Sequence, residues 1–288
     1  MTYGVAIRLD SGIVFLSDSR TNAGVDHIST FRKMTVFERA GERVLVLLSA
    51  GNLAITQAVR QLLIERGSSD GSTIWSAPNM FEAVRLVGDA VRDVYERDAE
   101  PLKDFKIEFN CSFIFGGQIG GERCRLFLVY SAGNFIEATE ENPYFQIGES
   151  KYGKPIIDRV ISQQTPLDEA AKCALISMDS TLRSNLTVGL PLDLLCYEDG
   201  SLRVTRFAQI DEENQYFRMI RSTWGRRLKQ VFGEVPDPRW EPALADENAL
   251  ALRDARRMEP ARAPLPKSFQ DREEVLPSLQ QLAQNGRR

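Results

Sequence analysis

Large apolar residues alternate with small or polar ones from Tyr3 to Leu9, Asp10-Ser11-Gly12 supplies turn chemistry, and an apolar run, Ile13 to Leu16, follows. This predicts a β-hairpin at the N-terminus. A polar stretch, Ser19 to Thr30, reads as a loop leading to strands at Lys33–Phe37 and Val44–Leu48. Helical spacing then appears over Leu53–Glu65 and Met80–Tyr95. In the second of these Ala83, Val84, Leu86, Val87, Ala90, Val91 and Val94 form one apolar stripe.

Strand patterns resume at Cys111–Phe115, Arg125–Tyr130, Phe135–Ala138 and Phe145–Ile147, with Gly116 to Gly121 read as a hairpin turn. Helices are predicted over Lys151–Ser162 and Asp168–Leu182, the second capped by Thr165-Pro166-Leu167-Asp168. Leu190–Tyr197 and Leu202–Arg206 read as a closing hairpin, and Asp211–Phe232 as a final amphipathic helix. Strands, two helices, strands, two helices and strands in that order suit an α+β, four-layer αββα sandwich. Both faces of each sheet would be covered, which accounts for strands that are apolar runs with little alternation. The expected organisation is one domain over 1–235 and a mobile Pro/Ala/Arg/Glu-rich tail over 236–288.

Composition narrows the chemistry. The chain has 288 residues, 43% of them hydrophobic, and a formal net charge of -4, which gives no general attraction to nucleic acid or an anionic membrane. Neither is expected as a partner. No secretory signal and no membrane-spanning apolar stretch is visible, so the reading is cytoplasmic. Cys111, Cys124, Cys173 and Cys196 sit apart in apolar segments and read as reduced core residues. The single histidine, His27, lies in the polar loop and reads as exposed and structural, so triads and multi-histidine metal sites are disfavoured. No metal ligand cluster and no phosphate-binding glycine loop is seen, and no cofactor is expected.

Thr2 would become the first residue once an aminopeptidase removed Met1. Its α-amine, with an ordinary pKa of about 8, could then take the proton of its own hydroxyl without help from histidine. A threonine at this position alone is a weak signal. Asp18 and Lys33, ending the second strand and beginning the third, could converge beside it as an electrostatic support or could simply form a structural ion pair.

Thr2, Asp18-Ser19-Arg20-Thr21-Asn22-Ala23-Gly24, Lys33 and Ser49-Ala50-Gly51-Asn52 resemble the proteasome β-subunit pattern. Phe15 to Asp26 and Phe31-Arg32-Lys33-Met34 resemble more closely Anbu, the bacterial ancestral-type β-subunit relative of the proteasome. The resemblance implies an N-terminal-nucleophile hydrolase of proteasome β-subunit fold. Thr2 would be nucleophile and base, Asp18 and Lys33 the supporting pair, Gly51 the oxyanion-hole amide, and Thr21 and Ala50 part of the substrate cleft. It also implies assembly of identical subunits into a ring or open spiral acting on peptides or unfolded proteins; any unfoldase partner is left open.

Two motifs depart from the proteasome pattern. Gly148-Glu149-Ser150 stands where Gly-Ser-Gly is usual, leaving Ser150 as the candidate hydroxyl. Arg183-Ser184-Asn185 stands where Arg-Asp is usual, leaving Ser184 and Asn185 in that register and Asp179 as a possible substitute or a solvent-facing residue. These departures keep open two alternatives to a threonine peptidase: a non-proteolytic assembly or binding protein, and a small-molecule amidase.

Overall fold

The structure, a computed structural model, describes residues 2–22, 28–65 and 71–238. Its chain-ordered elements begin with strands β1 (Tyr3–Leu9), β2 (Gly12–Asp18), β3 (Arg20–Asn22), β4 (Ile28–Thr30), β5 (Met34–Arg39) and β6 (Arg43–Gly51). Helices α1 (Leu53–Glu65) and α2 (Met80–Asp104) follow, then β7 (Cys111–Ile119), β8 (Arg125–Val129), β9 (Phe135–Glu137) and β10 (Tyr144–Gly148). The remainder is α3 (Lys154–Val160), α4 (Leu167–Ser184), β11 (Leu192–Glu198), β12 (Arg206–Ile210) and α5 (Gln215–Glu234).

Two five-stranded antiparallel sheets stack face to face, ordered β10-β1-β2-β11-β12 and β5-β6-β7-β8-β9. Alternation along each strand divides its side chains between two cores. In β2, Ile13 and Phe15 enter the layer between the sheets with Met34, Val46 and Leu195, while Val14 and Leu16 face Ala170, Ala174 and Met178 of α4. On the far side, Phe113, Phe115 and Leu47 pack against Val59 of α1 and Val84, Val87 and Val91 of α2. This is the expected αββα sandwich. Every residue of β1 and β2 is buried, as strands covered on both faces must be.

Local differences have identifiable causes. The polar stretch expected as a loop contains the β3–β4 pair, registered Arg20 to Thr30, whose residues carry no apolar alternation to announce it. β7 continues through Gly116 and Gly117 instead of turning there. At Gly117, φ is +141° and a Cβ would lie 2.0 Å from the Val44 carbonyl oxygen, so glycine permits a close strand approach. The turn falls later, where Glu122 N donates to Ile119 O at 3.0 Å. β12 starts at Arg206, because Leu202 adopts φ 45° and its N–H bonds Tyr197 Oη at 3.2 Å. Thr165 does not cap α4; its Oγ1 accepts from Ser162 N at 2.9 Å. α2 runs on through Pro101 to Asp104, beyond its apolar stripe.

Cys111, Cys124, Cys173 and Cys196 are all buried and free. The described residues up to Gly233 pack as one unit. His27 and nearly all of the tail from 236 to 288 lie outside the described residues. Among the described residues, no helix is long and apolar enough to cross a membrane.

Candidate active site

The β1–β2 hairpin register, Gly4 opposite Ser17, brings the start of β1 beside the end of β2. Tyr3 N donates to Asp18 Oδ1 at 3.0 Å. Lys33, immediately before β5, donates from Nζ to Asp18 Oδ1 and Oδ2 at 2.9 Å each and to Arg20 O at 2.6 Å. The Gly189 backbone also bonds the Asp18 carboxylate. Asp18 is 0% and Lys33 7% exposed. Burial pushes the carboxyl up and the ammonium down from their ordinary pKa values, and each charge opposes the other's shift.

Thr2 is anchored from the opposite side of β1, where Glu149 N donates to its carbonyl oxygen at 2.7 Å. Gly148, at φ +77°, makes that approach possible, since a Cβ there would lie 2.0 Å from the same oxygen. Thr2 lines the wall of a cleft of about 1130 Å³, together with Lys33, Ser49, Gly51 and Gly148. Gly51 ends β6 at φ +113°, where a Cβ would come within 2.4 Å of Asn110 O. The backbone there is one only glycine adopts without strain.

Thr2, Lys33 and Gly51 therefore share one cleft, with Asp18 buried behind Lys33. Ala50 goes elsewhere: strand alternation turns its methyl into the core between the sheets, while Ser49 and Gly51 on either side line the cleft. Thr21 lies on β3, and its side chain is outside the described residues.

The departing motifs also separate. Buried Glu149 accepts from Asn185 Nδ2 at 3.0 Å, and Asn185 Oδ1 accepts from Thr187 N at 2.9 Å, a network that joins the end of α4 to the residue holding Thr2. Ser184 is exposed at the end of α4, and Ser150 is half-buried, its carbonyl accepting from Lys154 N. Asp179 neither faces solvent nor lines the cleft. It is 1% exposed, paired with Arg183 and with Arg221 of α5 at 3.1 and 3.0 Å, and it ties two helices together.

Solved structures resemble this arrangement over most of the chain. "Anbu (ancestral beta-subunit)" from Yersinia bercovieri is 54% identical with a TM-score of 0.78, the match covering 83% of this chain and 100% of that one. The chain belongs to the Anbu family. An Anbu (Gly-1) mutant from Hyphomicrobium sp. strain MC1 is 52% identical over the same shares, with a TM-score of 0.78. The structure described as the helical assembly of the Anbu complex from Pseudomonas aeruginosa is 46% identical over 85% of this chain and 100% of its own, also with a TM-score of 0.78. No family model and no curated protein matches the chain. The fold of this Anbu chain is thus proteasome-like, with two antiparallel sheets between helices.

Sequence reasoning missed Gly148 as a contact of Thr2, the Arg20 carbonyl as a partner of Lys33, and the Asp193 carboxylate. Asp193 lines the cleft at 1% exposure, with neither oxygen hydrogen-bonded. It could have been flagged as an acidic residue inside an apolar strand. The Arg20 carbonyl is a backbone atom and leaves no residue-type signal, whereas at Gly148 the signal was the glycine itself.

Proposed function

We propose that this chain is a threonine peptidase of proteasome type, hydrolysing peptide amide bonds through Thr2 once Met1 is removed. The observation that carries the reading is the meeting of Thr2, the Lys33–Asp18 pair and Gly51 on one cleft. The neutral Thr2 amine takes the hydroxyl proton, and Oγ1 adds to the substrate carbonyl carbon. The Gly51 N–H stabilises the resulting oxyanion. Collapse expels the leaving amine, which receives the proton from the α-ammonium, and leaves an ester on Oγ1. Water, deprotonated by the same amine, then cleaves that ester, releasing the carboxylic acid product and restoring the hydroxyl.

Lys33 supports this as a fixed charge. Its ammonium donates to Asp18 and to the Arg20 carbonyl, so its part is to disfavour protonation of the nearby amine, while Asp18 holds it in place. A cleft of about 1130 Å³ with walls from β5, β6, α1 and β12 has room for several residues of a peptide.

Assembly into a ring or open spiral in the cytoplasm completes the proposal. The Pseudomonas aeruginosa relative is described as a helical assembly, and α5 of this chain exposes Met219, Leu228, Val231 and Phe232. A second reading, a non-proteolytic assembly or binding protein, draws on Glu149, whose carboxylate is taken up by Asn185 where the proteasome pattern has a serine. Peptide turnover by the assembled protein, compared with its Thr2→Ala variant, separates the two. The peptidase reading expects turnover lost in the variant with assembly intact; no turnover in either protein favours the second, and equal turnover in both would remove Thr2 from the reaction.

A further inference from the structure

Leu53, Thr56, Gln57 and Arg60 recur at i, i+3, i+4 and i+7 along α1, so they share one helical face, and all four line the cleft. Strand alternation divides the cleft along β5. Thr35 and Ser49 line it on the α1 side, whereas Val36 and Glu38 lie on the opposite face of the sheet, where Glu38 meets Val204. The acidic groups that line the cleft, Glu38 and Asp193, belong to that second side: Glu38 accepts from Val204 N at 2.8 Å, and the charge nearest in effect to Asp193 is Arg32.

The α1 side is therefore walled by Leu47, Leu53 and neutral polar groups, with two cations, Lys33, which is committed to Asp18, and Arg60. Thr56 Oγ1 donates to Leu53 O at 3.1 Å and Ser49 Oγ to Lys33 O at 3.3 Å, so both hydroxyl protons are committed. Arg60 is exposed to the cleft and, among the described residues, has neither a hydrogen bond nor an ion pair. A guanidinium in such a wall, with no carboxylate among the described residues on that side of the cleft, is a receptor for an anion.

Reach selects which anion. Arg60 lies seven residues beyond Leu53, about 10 Å along the helix axis at 1.5 Å per residue, and helical side chains lean back towards the N-terminus, here towards Gly51. A substrate residue whose carbonyl sits at the Gly51 amide needs a long acidic side chain to meet the guanidinium part-way, so glutamate fits better than aspartate. We propose that Arg60 is a specificity-determining residue that selects peptides with glutamate supplying the scissile carbonyl. The inference deepens the peptidase reading and rests on it for the direction in which the peptide lies.

The test measures binding apart from chemistry. Fluorescein-labelled tripeptide amides ending in Glu, Leu or Lys are titrated into full-length Thr2→Ala protein, alone and combined with Arg60→Ala or Arg60→Glu, and followed by anisotropy. The expected result is a dissociation constant for the Glu peptide about tenfold below those for Leu and Lys, an advantage that diminishes with added salt, as that of a charge-assisted contact in a partly solvated cleft should. Arg60→Ala should level the three and Arg60→Glu should favour Lys. Three peptides that bind alike, a Glu advantage that survives Arg60→Ala, or no binding would overturn the proposal. Epoxyketone labelling of unsubstituted Thr2 reports separately on the peptidase reading: labelling without Glu selectivity refutes only the pocket, and selectivity without labelling refutes only the chemistry.

Discussion

The Lys33 ammonium stands 2.9 Å from both carboxylate oxygens of Asp18, and the main-chain nitrogen of Tyr3 stands 3.0 Å from one of them. A single buried carboxylate thus fixes both the position of the lysine and the backbone that carries Thr2.

That relationship predicts the outcome of removing the lysine. Lys33→Met leaves the Asp18 charge buried without its cation and should destabilise the fold by about 3–5 kcal/mol, read from the urea midpoint. The double variant with Asp18→Asn should recover part of that loss, because no uncompensated charge remains. Reaction with an amine-requiring inhibitor should recover in neither. Where slow reaction persists in Lys33→Met, its rise with pH should move to higher pH: losing a neighbouring positive charge raises the amine pKa, and only the neutral amine reacts. An unchanged profile would remove Lys33 from the mechanism.

Gly51 offers a backbone test. Gly51→Ala places a methyl within 2.4 Å of Asn110 O at φ +113°. Strain of about 1–3 kcal/mol should follow, together with a displaced amide. The reaction rate of Thr2 should fall by about a hundredfold, the scale on which a lost oxyanion donor acts. A variant that is less stable yet equally reactive would show that the glycine serves only the turn.

Asp193 makes a prediction about pH. Burial pushes its carboxyl up from the ordinary range, and the Arg32 charge offsets this only in part. A folded-state pKa above the unfolded one means the folded protein holds the proton more tightly. The stabilising contribution is complete below the unfolded pKa and is lost as pH rises through the folded one. At pH 7 the ionised side chain therefore costs stability, and Asp193→Asn should gain about 1–3 kcal/mol. The gain should shrink as pH falls through the carboxylate range; a gain that grows on acidification would contradict this.

The layered fold was legible because both sheets are covered on both faces, which leaves apolar runs such as Ile13–Leu16 and Val44–Leu48 in the sequence. The β3–β4 pair was not, since Arg20-Thr21-Asn22 carries no hydrophobic period. Within the candidate site, the grouping of Thr2, Asp18, Lys33 and Gly51 was expected from the family resemblance, and the structure brings Thr2, Lys33 and Gly51 to one cleft with Asp18 paired to Lys33. Ala50 was misplaced by treating neighbours in a motif as neighbours in space, although alternate strand residues face opposite ways. Asp179 gave no hint of its partner, because Arg221 lies 42 positions later on a different helix.

Intact-protein mass spectrometry of the purified chain, with and without a peptide epoxyketone that must react with both the amine and the hydroxyl of an N-terminal threonine, tests the central claim most directly. The account predicts loss of Met1 and a single adduct, absent in Thr2→Ala. A chain that has lost Met1 and stays unmodified under saturating inhibitor would contradict it.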